Sequence, residues 1–80
     1  MNATPLKLST QSNGTRAQIS GFSLPDEIEQ RLQKMGMTVG ADVRVVRRAP
    51  LGDPLEVRIR GFLLAIRASE ADGVFVKIIE

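Results

Sequence analysis

The sequence has no cysteine, no histidine, no tryptophan and no tyrosine. Without cysteine there is no disulfide and no thiolate nucleophile. Without histidine, every Cys/His zinc pattern and every Ser–His or Cys–His catalytic pair is excluded as well. Aromatic side chains amount to 3 phenylalanines. That is too few to supply a core and also the stacking platforms on which single-stranded nucleic acids and proline-rich peptides dock. Glycine-rich phosphate cradles are missing, since neither a Walker A pattern nor Gly-x-Gly-x-x-Gly occurs. The longest uncharged apolar run, Phe62 to Ile66, is far short of a membrane span, and the Met-Asn-Ala-Thr-Pro start has no apolar signal core. The expectation is a cytoplasmic protein that does not insert into a membrane.

What is present is ordinary globular composition. Of the 80 residues 42% are hydrophobic and 25% charged, which suits one small domain over residues 1–80, with the first 12 residues frayed or forming a short edge strand. The net charge is +2, and arginine supplies most of the cationic side chains. A charge this small permits weak contact with anions and demands none. Among the 9 carboxylates, Asp26, Glu27 and Glu29 cluster, but they sit where a first helical turn favours negative charge. No convergent ligands lie elsewhere, so neither a metal nor a cofactor is expected.

The stretch from Arg44 to Arg60 organises the chain. Two runs of alternating apolar and charged residues flank Ala-Pro-Leu-Gly-Asp-Pro, which spells a β-hairpin with a stiff, non-minimal loop. The simplest register sets Val45 opposite Val57, Val43 opposite Ile59 and Arg47 opposite Leu55, aiming the β-branched pairs into a core. The other face then pairs Asp42 with Arg60 and Arg44 with Arg58, the latter a like-charge pair that calls for solvent or an anionic partner. A slip of one residue would invert every facing.

Around this hairpin the remaining elements are short. Leu6 and Leu8 have the spacing of an edge strand, and Thr15 to Ser20 follows the Asn13–Gly14 turn as the first clear strand, with Ala17 and Ile19 on one side. Ser23 is placed to cap a helix that tolerates Pro25 at its start, carries Ile28, Leu32 and Met35 on one stripe, and stops at Gly36. Gly61 turns the chain into a strand over residues 63–67. Residues 68–71 are too short for an α-helix and suggest a 3₁₀ turn, and Val74, Val76 and Ile78 alternate in a closing strand. The three phenylalanines, Phe22, Phe62 and Phe75, are assigned to the core. The sum is a mainly β fold: about five short strands and one short inserted α-helix, arranged as a small barrel or two packed sheets.

Two surfaces attract attention. Arg44, Arg47, Arg48, Arg58 and Arg60 suit either a solvated strand face or a phosphate-binding one; the scarcity of aromatics favours the former, and no nucleic-acid partner is expected. The tip, with Pro50, Leu51, Gly52, Asp53 and Pro54, is open to two readings. It is either a stiffened loop with an Asx-type turn at Asp53, or a preorganised knob for docking a partner.

Arg31-Leu32-x-x-Met35-Gly36, then Gly40, Val43 and Val45, then Ala49 to Leu55, then Arg60-Gly61, Leu64, Ala65, Arg67, Glu70, Ala71 and Val76 resemble the FeoA family of ferrous-iron transport A proteins. The likeness runs over about residues 14–79. It implies an SH3-like barrel with an inserted helix, similar to the C-terminal domain of repressors of the diphtheria-toxin-repressor type. It also implies a non-enzymatic accessory of FeoB, a membrane GTPase that passes Fe²⁺. On that view Arg47, Arg48, Pro50, Leu51, Gly52, Asp53 and Pro54 are the candidate partner-binding residues, acting either by supplying an arginine to GTP hydrolysis or by scaffolding alone. A different class, an SH3-like regulatory module binding nucleic acid or another cytoplasmic protein, is the alternative. Self-association through open strand edges is compatible with both.

Overall fold

Residues 5–79 are described in a computed structural model of the chain. Nine elements follow in order: β1 (Leu6–Lys7), a 3₁₀ turn (Leu8–Thr10), β2 (Arg16–Phe22), α1 (Asp26–Lys34), β3 (Asp42–Arg48), β4 (Leu55–Ile59), β5 (Phe62–Ile66), α2 (Ala68–Ala71) and β6 (Val74–Ile78). The strands form one sheet in the order β1-β6-β2-β3-β4-β5, and every neighbouring pair is antiparallel.

Alternation along the strands builds the core. Ala17 and Ile19 of β2, Val43 and Val45 of β3, and Leu55, Val57 and Ile59 of β4 are all buried, as are Val74 and Val76 of β6. Their neighbours in sequence point to the opposite face. Leu32 of α1 and Met37 just beyond it close the cluster, both fully buried. The Gly36 N–H donates to the Gln33 carbonyl and the Met37 N–H to the Leu32 carbonyl, each at 3.0 Å. With Gly36 at φ +103° this is the Schellman stop expected at that glycine. Gly73 is needed for a different reason: a Cβ there would lie 2.6 Å from the Ser23 carbonyl oxygen, on the stretch whose Ser23 N–H donates to the Gly73 carbonyl at 2.8 Å.

Several expectations need correction. The short edge strand offered for the first 12 residues is present, since Leu6 and Lys7 pair with Val76 and Phe75 of β6, and it brings the sheet to six strands among the described residues. Leu8, expected on an edge, turns inward through the 3₁₀ turn and is fully buried. Ser23 does not cap α1; Pro25 occupies that position, and its carbonyl accepts the Ile28 and Glu29 amides at 3.0 Å. Met35 falls past the last turn and is 37% exposed. Residues 68–71 form one α-helical turn rather than a 3₁₀ turn, since Ala71 and Asp72 donate to the carbonyls of Arg67 and Ala68, four residues back. Phe62 is 66% exposed, not in the core. The register of the hairpin holds at Val43–Ile59, Arg44–Arg58 and Val45–Val57, then shifts at a bulge so that Arg47 faces Glu56 and Arg48 faces Leu55. The extra residue, Val46, keeps the Arg47 side chain off the core face to which simple alternation would have sent it. The first few residues, expected to be frayed, lie outside the described residues up to position 4.

Candidate functional site

The bulge determines what the hairpin presents at its tip. Arg47, turned outward, donates from Nε to Glu56 Oε1 at 2.7 Å. This bond raises the guanidinium pKa above its ordinary value, with the Glu56 charge contributing in the same sense, so Arg47 remains cationic at any physiological pH. Arg48, half-buried opposite Leu55, donates from Nη2 to the Gln11 carbonyl at 2.6 Å and ties the hairpin to the segment after β1.

Between the strands the loop is closed by its own backbone. The Ala49 N–H donates to the Pro54 carbonyl at 3.1 Å and the Gly52 N–H to the Ala49 carbonyl at 2.7 Å. Gly52 has φ +87°, a conformation that other residues adopt only at a cost. The Asp53–Pro54 bond is cis. Asp53 Oδ1 accepts the Ala68 N–H at 3.0 Å and so satisfies a free amide at the start of α2. In turn Glu70 of α2 accepts the Arg67 N–H at 3.3 Å and pairs with Arg31 of α1. The tip is thus braced through α2 to α1.

What this frame holds out is apolar. Leu51 is 96% exposed; Pro50, Asp53 and Pro54 are exposed around it and Gly52 is half-buried. Behind the tip lies a cavity of about 180 Å³ lined by Arg47, Arg48, Ala49, Pro50, Pro54 and Glu56. All seven residues singled out from the sequence therefore lie on the tip or at its root. The five arginines considered as one phosphate face do not stay together. Arg47 and Arg48 belong to the tip, whereas Arg44, Arg58 and Arg60 line a separate cavity at the other end of the hairpin. Sequence reasoning missed Glu56 as the partner of Arg47, and Ala68 and Gln11 as the groups that anchor Asp53 and Arg48. The charge of Glu56 opposite a basic run was the one available signal.

Among the described residues no group of three or more acidic, histidine or cysteine side chains is placed to hold a metal ion. No helix there is long and apolar enough to cross a membrane.

Comparison with known proteins bears on this geometry. A FeoA protein from Chlorobium tepidum matches 94% of the chain and 71% of its own, with 40% identity and a TM-score of 0.90. A Stenotrophomonas maltophilia FeoA solved with zinc is 36% identical over 90% of this chain and 89% of its own, with a TM-score of 0.78. It is described as a prokaryotic SH3 domain protein and a candidate ferrous iron transport activating factor. A manganese-dependent transcriptional repressor shares the fold alone, with 15% identity, a TM-score of 0.87, and coverage of 98% of this chain and 38% of its own. The SH3-like, mainly β fold expected from the sequence is therefore the one observed. The family model for the FeoA domain matches residues 6–78, and the chain belongs to that family.

Proposed function

We propose that this protein is a small accessory of a FeoB-type ferrous iron transporter and acts as one SH3-like unit that docks through the hairpin tip at residues 48–54. Family membership supplies the transport context. The observation that carries the docking surface is Leu51: a leucine left 96% exposed on a loop closed by two backbone hydrogen bonds and braced at Asp53. A rigid apolar knob loses little conformational entropy when a partner covers it, which is the property a docking element needs.

Of the two modes of action, scaffolding is favoured over donation of an arginine to GTP hydrolysis. A donated arginine must reach the γ-phosphate, and both arginines at the tip are engaged, Arg47 by Glu56 and Arg48 by the Gln11 carbonyl. Docking then orders or assembles the transporter without touching nucleotide. Pull-down and calorimetric titration against detergent-solubilised FeoB, with wild type and Leu51→Asp, test the reading. Binding that the substitution removes supports it; equal binding by both proteins places the interface elsewhere. A parallel GTPase assay should show Arg47→Ala stimulating no less than wild type, and a stimulated rate lost only in that variant would revive the donated arginine.

A further inference from the structure

On the outer face of the sheet, arginines occupy corresponding positions on three adjacent strands. Arg16 of β2 lies directly opposite Arg44 of β3, and Arg44 directly opposite Arg58 of β4. With strands about 4.8 Å apart, the rung sets three arginine backbone positions across roughly 10 Å. Arg16 is engaged by Asp42, Nη2 to Oδ2 at 3.0 Å. Among the described residues, neither Arg44 nor Arg58 has an ion pair or a side-chain hydrogen bond. Like charges directly opposite each other weaken a sheet, so this rung opposes folding in the free protein.

A fourth arginine joins them at a further cost. Arg60 begins the turn between β4 and β5 at φ +51°, followed by Gly61 at +82°. A turn with two positive φ values is ordinarily built from Asn, Asp and Gly, and a long side chain in the first position is strained. Arg60 makes one long hydrogen bond, to Thr38 Oγ1 at 3.4 Å. Together Arg16, Arg44, Arg58 and Arg60 line one cavity of about 200 Å³. Among the described residues, the one carboxylate on its wall is Asp42, held by Arg16.

We propose that this cavity is a binding site for an oligophosphate, that is, two or three linked phosphoryl groups. The site is smaller than the roughly 300–1,000 Å³ of pockets that enclose drug-sized ligands, and no aromatic side chain lines it. It therefore suits a ligand recognised by charge alone. Several guanidinium groups on so small a volume call for several negative charges on few atoms. Carboxylates along a polypeptide arrive one per side chain and spread out; linked phosphoryl groups bring them together, and the planar guanidinium fork bonds phosphate oxygens in pairs. The opposed arginine pair is a liability in the empty protein, and such an anion relieves it. The site lies apart from the tip and does not rest on the transporter reading.

The test is titration of the ¹⁵N-labelled protein at low ionic strength with inorganic triphosphate, orthophosphate and ATP. The variants are Arg44→Gln, Arg58→Gln, Arg60→Gly and, as a charge-matched control on the exposed face of α1, Lys34→Gln. Saturable shifts at amides of residues 16, 42–44 and 58–61 are expected with triphosphate, with orthophosphate at least tenfold weaker. Each arginine variant should lower triphosphate affinity by about tenfold, the worth of one charged hydrogen bond, while Lys34→Gln changes it less than twofold. Thermal unfolding controls for folding: Arg44→Gln and Arg58→Gln relieve repulsion and should melt no lower than wild type. ATP binding as tightly as triphosphate, with the same dependence on Arg44, makes the source a nucleotide's phosphate chain; failure of ATP to compete makes it a free oligophosphate. Equal losses in Lys34→Gln and Arg44→Gln, shifts that never saturate, or equal binding of orthophosphate would overturn the proposal.

Discussion

At the tip end of the β3–β4 hairpin the charged side chains are matched by partners: Arg47 by Glu56, Arg48 by the Gln11 carbonyl, Asp53 by the Ala68 amide. At the other end of the same two strands Arg44 faces Arg58, neither in an ion pair among the described residues, and Arg60 sits in a left-handed turn position. The two ends share strands and core, so the difference lies in what each has been left to do. The tip spends its polar groups on holding its own shape and presents an apolar residue. That opposite end, the root of the hairpin, leaves Arg44 and Arg58 without an ion pair among the described residues and presents charge. A rigid apolar knob suits a protein surface, and the opposed Arg44–Arg58 pair suits a compact anion.

Substitutions that interfere with one end alone sharpen the contrast. The largest effect is expected for Leu51→Asp, which should weaken transporter binding roughly thirtyfold or more, as loss of a central apolar anchor does. Because Leu51 is 96% exposed, the melting temperature should not fall with it. Arg48→Met leaves the Gln11 carbonyl without its charged donor and should cost about 1.5 kcal/mol in urea unfolding. Asp53→Ala removes the acceptor at the start of α2, with a loss of about 1 kcal/mol. Its docking defect should be smaller than that of Leu51→Asp, since the leucine remains. At the root the sign reverses: Arg58→Glu turns the like-charge pair into an attractive one and should stabilise the protein by about 0.5 kcal/mol at low salt. The gain should shrink as salt is added. Destabilisation by that substitution would break the contrast, because it would mean that Arg58 is already satisfied within the fold.

Much of this hairpin was legible in the sequence. Strict alternation from Val43 to Val45 and from Val57 to Ile59 specifies which residues are buried, and the pairing of those residues follows from it. The bulge at Val46 was not legible, because no glycine or proline marks it; the need to keep Arg47 off the core face decides it, and that is a property of the assembled sheet. Asp53 was readable as a local turn residue, yet its acceptor role is played 15 residues away in sequence, at Ala68. Leu8 and Phe62 exchanged their expected places, one fully buried and the other 66% exposed. A single leucine among polar residues has no periodicity to read, and a phenylalanine next to a turn faces whatever the end of the sheet leaves uncovered. For the candidate site, the tip could be read as a unit from its two prolines and glycine. The separation of the five arginines into two groups required the topology.

The most direct test of docking through the tip is an amide chemical-shift map of the ¹⁵N-labelled protein titrated with FeoB in detergent. Perturbation and line broadening concentrated at residues 47–53 and at Ala68, with the amides of Arg44 and Arg58 unmoved, is the predicted result. Perturbation centred on the arginine rung, with the tip unchanged, would contradict it and transfer the partner surface to the opposite end of the hairpin.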